Sequence, residues 1–109
     1  MASASDFSKL KNIEGVGHYI LVRNDGHVVT HNLNNAVELS STIVMSGRSF
    51  KKLEDFLDCG QCIYLCVERN KDNNLLVFPL GKYFLGIVEE SDSDTKTTVD
   101  SIINYLKNL

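Results

Sequence analysis

Apolar residues recur along this chain with two periods, and the switches between them divide it into elements. Phe7, Leu10 and Ile13 stand three apart, which predicts two turns of amphipathic helix over residues 6–13. Gly15 then ends it, because glycine takes the left-handed conformation that closes a helix without a Cβ clash. After Gly17, His18-Tyr19-Ile20-Leu21-Val22-Arg23 is dense in β-branched and aromatic residues. Asn24-Asp25-Gly26 is a tight-turn signal, and His27-Val28-Val29-Thr30 returns, which makes a β-hairpin.

From 34 to 57 no proline occurs, and Leu39, Ile43, Phe50, Leu53 and Leu57 recur at three- and four-residue steps, so one long helix is the economical reading. A break at Ser46-Gly47 is the alternative. Beside Leu39 and Ile43 runs a stripe of small residues, Ala36, Ser40 and Gly47, which would let another backbone approach closely. Glycine costs a helix interior about 1 kcal/mol relative to alanine, and close packing at Gly47 would compensate.

Three strand-like runs follow at 61–69, 75–80 and 83–90, joined by the polar loop 70–74 and by Pro79-Leu80-Gly81-Lys82. The acidic cluster Ser91-Asp92-Ser93-Asp94 suits the N-terminus of a last helix, on which Val99, Ile102, Ile103, Leu106 and Leu109 share a face. The order is α-β-β-α-β-β-β-α. Its simplest packing is an α+β domain in which a five-stranded antiparallel sheet carries helices on both faces.

At 109 residues the chain is one domain, and residues 1–5 are expected to be disordered. Hydrophobic residues make up 43% and charged residues 23%, the balance of a soluble globular domain. The formal charge of −3 with scattered Lys and Arg argues against nucleic acid or an anionic membrane as main partner. No apolar run approaches the roughly 18 residues of a membrane span, and no secretory h-region is seen at the start. A cytoplasmic location is the expectation, and the cysteines agree with it. All three lie within Cys59-Gly60-Gln61-Cys62-Ile63-Tyr64-Leu65-Cys66, an odd and crowded set that makes a poor disulfide framework.

Alternation along 61–69 puts Ile63, Leu65 and Val67 on one face and Cys62, Tyr64 and Cys66 on the other. Three cysteines cannot converge from an extended strand on one zinc ion at about 2.3 Å, so they read as structural rather than metal-binding. His27 and His31 alternate onto one face of their strand, but two histidines without a third ligand are not a site. No Gly-x-Ser-x-Gly elbow, His-Glu-x-x-His helix or phosphate loop is present, so neither enzyme nor cofactor is expected. Arg48, Lys51 and Lys52 form a small basic patch on the polar side of the long helix, a solvated face or a place for an acidic partner.

Leu10-Lys11-Asn12-Ile13-Glu14-Gly15-Val16, Tyr19-Ile20-Leu21-Val22-Arg23-Asn24-Asp25-Gly26 and Val77-Phe78-Pro79-Leu80-Gly81-Lys82-Tyr83-Phe84-Leu85-Gly86-Ile87-Val88 carry a resemblance. They are similar to the opening helix, first strand with its Asp-Gly turn, and last hairpin of the Roadblock / dynein light chain family, which includes MglB-like regulators of Ras-like GTPases. With the element order, the likeness extends from about Phe7 to Leu106. The resemblance implies a non-enzymatic homodimeric regulator or scaffold of profilin-like architecture, acting with a small Ras-like GTPase or in a dynein-type motor complex. It implies a two-fold interface on the long helix and third strand, here Ala36, Ser40, Ile43, Gly47 and Phe50 with Cys62, Tyr64 and Cys66, where Cys62 of one copy would face Cys66 of the other. It also implies a GTPase surface docking on Arg48, Lys51 and Lys52. From another class, a profilin-like or PAS-like ligand-binding domain would use a pocket between sheet and helix.

Overall fold

Tyr19, Ile20, Leu21 and Val22 are all buried, and so are Leu75, Leu76, Val77 and Phe78. Side chains alternate between the faces of a strand, so four consecutive buried positions need cover on both sides. The computed structural model, which describes residues 4–57, 64–68, 73–91 and 93–108, has that cover. Its elements are α1 (Ala4–Ser8), continued by a 3-10 turn (Lys9–Asn12), β1 (Val16–Arg23), β2 (Val28–His31), α2 (Ala36–Leu57), β3 (Leu65–Val67), β4 (Leu75–Leu80), β5 (Tyr83–Glu89) and α3 (Thr95–Lys107). The strands form one antiparallel sheet in the order β2-β1-β5-β4-β3. This is the α+β class and the order of elements that the sequence predicts.

On one face Tyr19, Leu21, Leu76, Phe78, Leu85 and Ile87 pack against Phe7 and Leu10 from the N-terminal segment and Val99 and Ile102 from α3. The Tyr105 hydroxyl of α3 donates to the Asp6 carbonyl, fixing the two helical segments of this layer together. On the other face Ile20, Val22, Leu75, Val77, Phe84 and Val88 pack against Leu33, Ala36, Leu39, Ile43 and Val44, so α2 alone makes the third layer.

Several boundaries differ from the sequence reading, each for a local reason. The first segment is helical for only five residues and tightens into a 3-10 turn, since Leu10 must reach the core. In the hairpin, Asp25 Oδ1 accepts the backbone N–H of His27 at 3.1 Å and Gly26 takes φ 97°, which closes the turn and starts β2 at Val28. At α3 the expected cap is replaced. Asp94 caps no backbone N–H and instead accepts the Thr97 hydroxyl at 2.6 Å. The carboxylate that organises the junction is Glu89 at the end of β5, which is buried and accepts from the Ser93 hydroxyl at 2.6 Å and from Thr95 at 2.9 Å. In the expected strand 61–69 the ladder covers Leu65–Val67, and residues 58–63 and 69–72 lie outside the described ones.

The helix α2 is continuous through Gly47, with no break at Ser46. A Cβ on Gly47 would lie 2.5 to 2.8 Å from the Phe84 ring, and a Cβ on Gly86 of β5 would collide with the Ile43 side chain. The two glycines thus let helix and strand approach reciprocally. This corrects the reading of the small stripe as a second, outward face: Ala36, Ser40, Ile43 and Gly47 are all buried against the chain's own sheet. Ser40 tolerates that burial because its hydroxyl bonds back to the Val37 carbonyl at 2.7 Å.

Overpacking a closed core typically costs about 1–3 kcal/mol. Gly86→Ala and Gly47→Ala should each lose that much in urea unfolding, whereas Val37→Ala on the exposed side of α2 should change stability by less than about 0.5 kcal/mol. Unchanged midpoints for both glycine variants would contradict the close approach.

Candidate functional site

With its inner face used by the sheet, α2 turns two large apolar side chains outward, Val37 at 77% exposure and Met45 at 69%. Next to Met45 an open groove of about 390 Å³ runs between α2 and the sheet, lined by Ser46, Ser49, Phe50 and Leu65. Leu65 belongs to β3, the last strand in the sheet order, so the groove borders a strand edge that no other described strand pairs along residues 65–67. An apolar strip beside an open edge is a surface for association.

The residues named from the sequence divide around this surface. Phe50 is half-buried and lines the groove. Tyr64 is exposed, with its ring 6.0 Å from that of Phe78, on the sheet face opposite α2. Cys66 is half-buried on that same face, against the α1 and α3 layer, while Leu65 and Val67 point to α2, as the alternation predicts. Cys62 lies outside the described residues. Ala36, Ser40, Ile43 and Gly47 belong to the core, while Val37 and Met45 are exposed and Ser49 and Leu65 line the groove. Val37 and Met45 could have been found as apolar residues off the main helical stripe.

The basic patch is also resolved. Arg48 Nη2 donates to the Asn24 carbonyl in the β1–β2 turn, and Lys51 Nζ sits 5.8 Å from the centroid of the Phe84 ring, while Lys52 is exposed. Beside them Arg23 pairs with Asp25 at 2.7 Å.

Chemistry elsewhere is sparse. Among the described residues no three His, Cys, Asp or Glu side chains converge to hold a metal. His18, His27 and His31 are exposed, and His31 Nδ1 accepts the backbone N–H of Leu33 at 3.3 Å. Further grooves among the described residues are open and polar. One of about 670 Å³ is bordered by Glu14, Gly17, His18, Glu90, Asp94 and Thr97, and one of about 300 Å³ lies between His18, Asn32, Asn35 and Leu39. Neither has the enclosed apolar walls of a small-molecule pocket.

The Arg23 guanidinium and, after it, the backbone N–H of His27 hold the Asp25 carboxyl down to about 2. A lowered folded pKa means that the pair's small contribution is present above the ordinary value of 3.8 and is lost as pH falls toward 2. An NMR titration should therefore place the Asp25 carboxyl midpoint near 2, and Arg23→Gln should return it toward 3.8. Burial, aided by Glu89 and Glu68, pushes the Cys66 thiol up from its usual 9.0. In a variant with Cys59 and Cys62 replaced by serine, alkylation by iodoacetamide should have its midpoint above pH 9; a midpoint below 8 would make Cys66 a redox thiol instead.

No protein-family profile matches this chain, and no curated protein does. Solved structures do. A Roadblock/LC7 domain from Streptomyces avermitilis superposes with a TM-score of 0.74 at 19% identity, over 99% of this chain and 94% of that one. MglB from Myxococcus xanthus gives 0.68 at 14% identity, over 93% and 91%. LokiProfilin1, solved in complex with rabbit actin, gives 0.53 at 16% identity, over 96% and 91%. At these identities the likeness is one of fold. The chain has the Roadblock/LC7 fold.

Proposed function

We propose that this chain is a non-enzymatic regulator or scaffold that works as a homodimer with a small Ras-like GTPase. The observation that carries the reading is the coincidence of a Roadblock/LC7 fold with exposed apolar side chains on α2, Val37 and Met45, the second of them beside Leu65 of the edge strand β3. A second copy laid across the strip would cover both, joining the edges of two β3 strands into a longer sheet and setting the two α2 helices side by side. Phe50 and Leu65 would then fill the groove between them, and Tyr64 would lie near the two-fold axis. The helix contact uses Val37, Met45 and Ser49, not the buried small stripe.

A cytoplasmic setting fits the clustered cysteines, and no helix of the described residues is long and apolar enough to cross a membrane. A role in a dynein-type motor complex would use the same dimer. The profilin-like alternative draws on LokiProfilin1, but the polar grooves at His18 and the apolar groove beside Met45 are all open to solvent, which favours a protein surface over a small ligand.

Light scattering during size exclusion should give a mass near twice 12.2 kDa. Met45→Glu combined with Val37→Glu should halve it without changing the circular dichroism, because both side chains are solvent-facing in the protomer. A monomeric wild type would overturn the reading. The dimer should then bind a Ras-like GTPase from its own source in a nucleotide-dependent way; faster GTP hydrolysis would mark a regulator, and binding without acceleration a scaffold.

A further inference from the structure

Charge is segregated between the two ends of the sheet. At one end β1 begins and β5 finishes, and there Glu14, Glu90 and Asp94 are exposed around the buried Glu89. At the other end β1 finishes at Arg23 and β5 begins at Tyr83, and the two turns are tied together by the Asn24 N–H donating to the Lys82 carbonyl at 2.8 Å. The second half of α2 arrives over this same end, since Arg48 reaches Asn24 and Lys51 reaches Phe84. Asp25 is neutralised by Arg23. Arg48, Lys51, Lys52 and Lys82 then leave a positive surface with the half-buried Glu54 as the next acid along α2, and the half-open Tyr83 ring lies beside it.

We propose that this end, formed by the turns at 24–27 and 81–82 with Arg48, Lys51 and Lys52, is the docking surface for an acidic patch on a partner protein. The separation of the ends makes it effective despite the net charge of −3. The eight residues of β1 span roughly 26 Å, several times the Debye length of about 8 Å at physiological salt, so a partner at the basic end does not feel the acidic one. Arg48 is held by a backbone carbonyl and Lys51 by an aromatic face, and such pre-placed cations suit carboxylates fixed on a folded surface. A membrane would instead reward flexible lysines flanking inserted apolar side chains, and a nucleic acid would reward a longer track of cations than these four. Lys52 and Lys82 are exposed beside Arg48 and Lys51.

That the partner is a protein rests on the regulator reading, but the test needs no GTPase. The probe is a capped decapeptide of alternating Glu and Asp, titrated into the isotope-labelled protein and followed by amide chemical shifts. Shifts should concentrate at Asn24, Gly26, Lys51, Lys82 and Tyr83 and shrink as salt rises. Lys52→Glu with Lys82→Glu should weaken the peptide about tenfold, whereas Glu90→Lys at the far end should not weaken it. Shifts elsewhere, none at millimolar peptide, or indifference to the double reversal would overturn the surface. So would tighter charge-dependent binding of phosphatidylserine vesicles, or of duplex DNA, through the same residues. A monomeric wild type in light scattering would remove the regulator reading and leave this peptide result standing on its own.

Discussion

Helix α2 and strand β5 meet more closely than side chains ordinarily allow, because each carries a glycine opposite the other's bulk. Gly47 of the helix receives the Phe84 ring, and Gly86 of the strand receives Ile43. Contacts of this kind are intolerant of added atoms, since a close-packed interior has no free volume to give. The rotation of α2 about its axis follows from them. Once Ala36, Ser40, Ile43 and Gly47 face the sheet, Val37 and Met45 have no direction left but outward.

The same lock sets where charge appears. With Gly47 over Phe84, the next turn of α2 projects Arg48 toward the Asn24 carbonyl and Lys51 onto the face of that same ring. One phenylalanine thus seats the helix with an edge of its ring and holds a cation over its face. The opposite end of the sheet is organised by a carboxylate, Glu89, whose hydrogen bonds to Ser93 and Thr95 replace the ion pair that a buried charge would otherwise require. It is the last residue of β5 and stands opposite Val16 of β1.

Local chemistry was legible in the sequence, and facing was not. Asn24-Asp25-Gly26 announces its own turn because the Asp side chain and the glycine backbone act within three residues, and the runs at 75–80 and 83–89 are too apolar to be anything but covered strands. The small stripe on α2 shows where the difficulty begins. Periodicity says that Ala36, Ser40 and Gly47 share a side, but a surface that admits a neighbouring backbone admits the chain's own sheet as readily as a second copy. What decides is the size of Phe84 and the absence of a side chain at Gly86, both some forty residues away in sequence. The basic patch had the same ambiguity: Arg48, Lys51 and Lys52 are adjacent on paper, and only the fold separates two anchored cations from an exposed one.

The sheet's order also has a bearing on how the chain comes to be folded. Its middle is the pair β1 and β5, strands from opposite ends of the sequence, joined from Val16 opposite Glu89 to Arg23 opposite Tyr83. Until β5 emerges from the ribosome, β1 has a partner on one side only, and nothing joins the β1–β2 pair to the β3–β4 pair beneath α2. Assembly of the core is therefore a late and non-local event, slower than for a helical protein of this length. A nascent or truncated chain ending before β5 presents a bare, strongly apolar strand edge, which makes it a substrate for chaperones and proteases and not a smaller version of the domain.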